Sequence, residues 1–277
     1  MKKAMAAIAF LAVAFMCALP KASADSYVIP GSGVGTKISH VPYTITTPGF
    51  YYLAQNLTIA PIAGNVAITV EADDVTLDLM GFALSGVGKS NDGIVFSGIR
   101  SNVEIRNGSL RNFNGKGIYA LDAKGIRVIS LRVRDTAAAG IELSGTNHLV
   151  MDCTVIGAGG HGILAGTGSL VKGNIVINNT DYGIKAYDGS NVVGNVAAAN
   201  GLGIAAAVFS SVIDNTVANN TSNGISVADN CTVSRNTAYN NTGTGIRTGI
   251  YCTITNNTAD GLTYGSNCTT ADNTETP

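Results

Sequence analysis

The sequence predicts an all-β fold: a single-stranded right-handed parallel β-helix, a solenoid of roughly nine to ten coils behind an N-terminal cap. Three observations carry that expectation. A Gly-Ile step recurs at Gly93, Gly117, Gly140, Gly162, Gly183, Gly203, Gly224 and Gly245, at spacings that stay between 20 and 24 residues. Each period also holds a short apolar segment closed by Asn, as in Val171-Lys172-Gly173-Asn174, Val192-Val193-Gly194-Asn195 and Val212-Ile213-Asp214-Asn215. Composition agrees: Gly contributes 34 of 277 residues, charged residues only 13%, and Trp is absent. Globular domains carry roughly 25% charged residues, and the helix-favouring blocks of such domains are missing here. Self-similarity at a fixed period marks a repeat architecture. A period of about twenty-one residues holds three short strands and their corners, with no room for a helix.

Taken in order, residues 1–24 read as an export signal. Lys2 and Lys3 precede the apolar run Ala4 to Leu19, and Ala22-Ser23-Ala24 is a small-residue cleavage site. The run falls short of the about 20 residues of a membrane span. The expectation is a secreted or periplasmic product, cut after Ala24, with no transmembrane segment. Residues 25–66 lack the repeat and are expected as an N-terminal cap and lead-in, covering an apolar end that would otherwise template aggregation. Residues 67–277 form the β-helix. No cap is evident after Asp272-Asn273-Thr274-Glu275-Thr276-Pro277; the expectation is either that these polar residues and Pro277 blunt the edge or that self-association through the C-terminal coil covers it.

The columns of the repeat have physical reasons. Gly at a corner can take positive φ without a Cβ clash. The Ile after it points inward, and its burial contributes roughly 1.5–3 kcal/mol. The column Asn174, Asn195, Asn215, Asn236, Asn257 and Asn273 is expected to form an amide ladder, tolerating a left-handed turn. Cys231, Cys252 and Cys268 fall five residues before that Asn, in register with Ser169, Ser190 and Ser210. They read as a buried column of small side chains, close enough for one disulfide to remain open. His148 falls in the same inward column.

Gly-Ile followed by Val-x-x-Asn-Thr and Asn-Asn resembles the right-handed β-helix repeats of the pectin-lyase-like superfamily. It is most similar to the carbohydrate-binding and sugar-hydrolase repeat domain that also occurs in NosD-like periplasmic proteins. Pro48-Gly49-Phe50-Tyr51-Tyr52-Leu53, followed by Asp74-Val75-Thr76-Leu77-Asp78-Leu79, resembles the start of such proteins. The resemblance spans about residues 40–273 and implies fold. The matching residues are structural columns, and the superfamily includes lyases, hydrolases, epimerases and surface proteins, so no activity follows from it.

Chemistry must therefore come from residues that the repeat leaves free. A lyase would need a base and acids on one outer face; a hydrolase would need carboxylates roughly 5–9.5 Å apart. Asp152 and Asp214 share an outward column but are separated by Gly173 and Gly194, and Glu142, Asp181 and Asp188 fall singly in turns. Asp78 alternates with apolar neighbours and is expected to face outward as a structural residue. Basic residues are more clustered. The repeat register puts Arg111 below Arg134 and Ser109 below Arg132, with Arg106 before the same corner. Arg106, Arg111, Arg132 and Arg134 are the candidate glycan-binding residues, since guanidinium forks grip carboxylates. The competing reading is a face neutralised locally by Glu104 and Asp135. Copper, which the NosD likeness suggests, wants grouped His, Met or Cys ligands; His40, His148 and His161 are dispersed, so no metal and no cofactor is expected.

A net charge of −1 argues against nucleic acid as a partner. The function expected from the sequence is a secreted or periplasmic β-helix without a catalytic constellation, serving as a polysaccharide-binding or cell-surface module with an acidic polysaccharide as partner. The alternative is a polysaccharide lyase or glycoside hydrolase acting on an acidic glycan.

Overall fold

A computed structural model describes residues 35–62, 64–87 and 92–276. Over these residues the secondary structure is entirely β, with no helix long and apolar enough to cross a membrane. All strands pair in parallel, each with its counterpart one coil away: Ile163 faces Ile184, Ile184 faces Ile204, and Ile204 faces Ile225. Each regular coil supplies three strands, as in Tyr182–Ala186, Asn191–Val193 and Val196–Ala198. The Gly-Ile strands stack into one sheet of eleven, so the solenoid makes about ten turns. The other two strands of each coil belong to a second sheet, folded sharply at the Asn corner.

The solenoid begins earlier than its Gly-Ile signature. Tyr43–Ile45 pairs with Ile68–Val70, and Leu57–Thr58 pairs with Ala83–Ser85, so the described part of residues 25–66 is already wound into the helix. The signal segment 1–24, and a cap over residues 25–34, lie outside the described residues.

Inside, alternation puts one apolar residue per strand into a continuous core. Ile141, Ile163, Ile184, Ile204, Ile225 and Ile246 are fully buried, as are Val171, Val192, Val212 and Val233 from the facing strands. Two expected reasons need correction. The Gly of each Gly-Ile step does not have left-handed backbone. It is required by close approach instead: a Cβ on Gly183 would lie 2.6 Å from the carbonyl oxygen of Gly203 and equally near the Asn200 amide. The left-handed residue at the other corner is also not the ladder Asn. It is the residue before it, namely Gly173, Gly194, Asp214, Arg235 and Asn256.

The ladder itself is present. Asn195 Oδ1 accepts both the backbone N–H and the side-chain Nδ2 of Asn174, each at 2.9 Å, while its own Nδ2 donates to Val171 O and to Asn215 Oδ1. The pattern runs on to Asn273. A second ladder, Asn179, Asn200, Asn220 and Asn241, runs along the next corner and ends on the carboxylate of Asp260. Buried backbone amides at both corners are thus satisfied by side chains, as burial demands.

The small-residue column forms a third ladder. Ser190 Oγ accepts the Ser169 amide and Ser210 Oγ the Ser190 amide, each at 3.2 Å; Cys252 Sγ accepts the Cys231 amide and Cys268 Sγ the Cys252 amide. The four described cysteines are free thiols, and burial pushes Cys153 and Cys231 up to about 11. His148 occupies this column as expected. Its Nδ1 accepts the Ile126 amide and its Nε2 lies 3.1 Å from Ser144 O.

Burial lowers the pKa of His148 below its ordinary value, only partly offset by Ser144. The unfolded chain therefore binds a proton that the folded one refuses. Stability is full above about pH 6.5 and falls as pH drops through the lowered folded value, with a slope of up to about 1.4 kcal/mol per pH unit for one proton. His148→Ser, which restores the column's usual residue, should flatten that part of a stability-versus-pH curve measured by urea unfolding.

Candidate functional site

The four candidate arginines lie on two faces, divided by the corner at Asn107, which has φ 55. Arg106 is on the strand side before it. Its Nε donates to Asp78 Oδ2 and its second nitrogen to Glu104 Oε1, each at 2.8 Å, and Glu104 Oε2 also receives Arg127 at 2.8 Å. Asp78 is only 3% exposed, lying under Arg106 and taking further bonds from Asn107 Nδ2 and the Met80 amide. Asp78 faces outward in a structural role, covered by the partners it holds. Burial opposes the charge of Arg106, yet Asp78 and then Glu104 outweigh it and raise its pKa. Arg106 is committed to a local ion-pair network.

Beyond the corner, Arg111 faces Arg134 and Ser109 faces Arg132, in the register read from the repeat. Arg111 Nε donates to Ser85 Oγ at 2.9 Å, Arg132 Nε to Ser109 Oγ at 3.2 Å, and Arg134 lies 3.9 Å from the Asp135 carboxylate. Among the described residues, no carboxylate pairs with Arg111 or Arg132. A shallow groove of about 300 Å³, with Asn107, Ser130, Arg132 and Asp152 in its lining, adjoins them.

A second concentration of chemistry lies on the outer face of the Gly-Ile sheet. Alternation turns the residue after each Gly-Ile step outward, and stacking aligns Tyr119, Glu142, Leu164, Lys185, Ala205, Ser226 and Arg247 in one column. Lys116 Nζ bonds Glu142 Oε1 at 2.9 Å and sits 3.4 Å over the Tyr119 ring. His161 meets the Tyr182 ring edge-on at 5.2 Å, and Lys185 Nζ lies 5.1 Å from that ring and 5.7 Å from Tyr187. His161 Nδ1 is 3.3 Å from Asp181 Oδ2 but lacks hydrogen-bond alignment with it. Burial lowers the pKa of His161; Asp181 opposes this and Lys185 reinforces it. Next to these groups is a groove of about 340 Å³, walled by Tyr182, Tyr187 and Lys185 and floored by Ala205, Ala207 and Ala228.

Sequence reasoning missed this strip by treating Glu142 and Asp181 as isolated turn residues. The signal that finds it is the register itself, one residue after Gly-Ile. Among the described residues, no three His, Cys, Asp or Glu side chains converge as metal ligands.

Comparison with known proteins supports the architecture. The family model for a right handed beta helix region matches residues 53–200, more than half of the chain. No curated protein matches. Among solved structures, the chain is similar to the A-module of the Azotobacter vinelandii mannuronan C-5 epimerase AlgE4. The TM-score is 0.64 at 15% identity, covering 83% of this chain and 89% of that one. It is also similar to pectate lyase Pel9A, with a TM-score of 0.59 at 14% identity, covering 82% and 70% of the two chains. The Dettilon tailspike protein is a third, with a TM-score of 0.54 at 13% identity, covering 83% and 60%. At such identities the likeness is one of fold.

Proposed function

The chain belongs to the right-handed beta helix family, and on that premise we propose that it is an exported polysaccharide-binding module whose groove lies on the outer face of the Gly-Ile sheet. The observation that carries this reading is the groove walled by Tyr182, Tyr187 and Lys185 above a floor of alanines, with Tyr119 three rungs from Lys185 in the same outer column, beside the Lys116–Glu142 pair. Sugar rings pack a C–H face on aromatic rings, small floor residues let a chain lie close, and lysines attract uronate carboxylates without demanding one fixed geometry. Three similar structures carry names of proteins tied to mannuronan, pectate or a tailspike, which supports a polysaccharide as the partner.

The face of Arg111, Arg132 and Arg134 is the second candidate for gripping an anionic glycan, and Arg106 contributes there only by holding the corner. Export rests on the leader at residues 1–24, and self-association through the C-terminal coil belongs to the same proposal.

A lyase or hydrolase is the second reading of function. One observation favours it: burial keeps His161 neutral near pH 7, so it can accept a proton beside Tyr182 and Lys185. A glycan array, run beside reducing-end and unsaturated-uronate assays, tests both readings. Binding to acidic glycans that weakens with added salt, with no new ends or unsaturated products, is the expected result. Turnover in either assay would replace the binding module with an enzyme, and an array blank for every glycan would end both readings.

A further inference from the structure

Between each Gly-Ile strand and the next strand, the later coils turn through one residue with left-handed backbone. That column reads Gly168, Gly189, Phe209, Asn230, Tyr251 and Asn267, with φ from 56 to 68. Gly and Asn take this conformation readily, whereas bulky side chains resist it. Phe209 and Tyr251 therefore stand where the fold prefers something smaller. They gain no burial in return, since Phe209 is 67% exposed and Tyr251 56%.

Their placement is regular. The register Ser211 to Thr232 to Thr253 puts Phe209, Asn230 and Tyr251 directly above one another. The two rings are two rungs apart, or about 9.6 Å at the usual inter-strand spacing. Ala207 and Ala228, on the floor of the groove, lie two residues before Phe209 and Asn230, so these two stand at the groove's edge and Tyr251 continues the column one coil further on.

We infer that Phe209 and Tyr251 form an aromatic wall that selects an extended β-1,4-linked polysaccharide running along the helix axis; this rests on the glycan-binding reading above. In a β-1,4-linked ribbon each sugar is turned over relative to the last, so a given ring face recurs at every second sugar. Two rings spaced by two rungs meet two like faces. Asn230, exposed between them, offers its amide to the hydroxyls of the intervening sugar. The aromatic residues thus read linkage, while Lys185 of the groove reads charge.

Phe209→Asn and Tyr251→Asn test the inference, because Asn already serves this column at Asn230 and Asn267. Titration calorimetry would use hexamers of β-1,4-linked hexuronate and β-1,4-linked glucose, with a β-1,3-linked glucose hexamer as control. The double variant is expected to lose about tenfold or more in affinity for the β-1,4 hexamer that wild type binds, the order expected for two ring contacts. Its melting temperature should stay level or rise, since strain is relieved. Unchanged affinity overturns the inference, as does lost affinity with a lowered melting temperature, which assigns the rings to the fold. Equal binding of the β-1,3 hexamer overturns the linkage selectivity. A wild-type protein that binds none of the hexamers overturns the glycan-binding reading and this inference with it.

Discussion

Ile184→Asp is expected to abolish cooperative folding. Ile184 is fully buried, with Ile163 below and Ile204 above it in the Gly-Ile stack. Replacing it forfeits roughly 1.5–3 kcal/mol of apolar burial. It also places a carboxyl group among apolar side chains, at a further cost of several kcal/mol even if the group takes up a proton. The sum exceeds about 5 kcal/mol, which belongs to the rare severe class and rivals the roughly 5–15 kcal/mol stability of a whole domain. Each coil contacts only its neighbours, so a broken rung uncouples the coils on either side. A thermal melt followed by far-UV circular dichroism should show a lost or strongly lowered transition; a melt matching wild type would contradict the stacked core.

The second large effect is Asn195→Ala. The substitution leaves the Asn174 amide and the Val171 carbonyl without their side-chain partners. Asn174 Nδ2 keeps Val150 O, and Asn215 Oδ1 keeps the backbone amide of residue 195. Two orphaned buried groups at about 1–3 kcal/mol each predict a loss of roughly 2–6 kcal/mol, or a melting temperature lowered by about 4–24 °C. Asn191→Ala, at an exposed position of the same coil, is the control and should change stability by no more than about 0.5 kcal/mol.

The fold was legible because its signals are repeated. Gly-Ile marks the inward column eight times over, and the Asn recurring at a fixed offset from it spells out its own hydrogen-bond ladder. The Ser, His and Cys column was also readable from parity alone. What escaped was detail set by the neighbouring coil rather than by the residue itself. Gly183 is required by the carbonyl of Gly203 above it, a contact made across 20 residues of sequence. The second ladder, Asn179 to Asn241, is hard to tell from turn composition in the sequence, because Asn is frequent in exposed turns as well.

The site was less legible for the same reason. Arg106, Arg111, Arg132 and Arg134 lie close in the linear alignment, but the corner at Asn107 turns Arg106 onto a different face, and Asp78 with Glu104 absorbs its charge. Lys116, Glu142, His161 and Asp181 look scattered along the chain. Winding the chain pairs Lys116 with Glu142 and His161 with Asp181 on the outer side of one sheet. A solenoid brings function together along columns, and only columns that vary carry information about it.

The most direct test compares two double variants for affinity toward an acidic glycan retained by wild type on the array. Tyr182→Ala with Lys185→Ala removes a wall and a cation of the Gly-Ile groove; Arg111→Ala with Arg134→Ala removes the cations of the other face. The groove account predicts about tenfold or greater weakening in the first and near wild-type affinity in the second, with both proteins melting within a few degrees of wild type. Binding that survives the first pair and is lost with the second would contradict it and move the site to the arginine face.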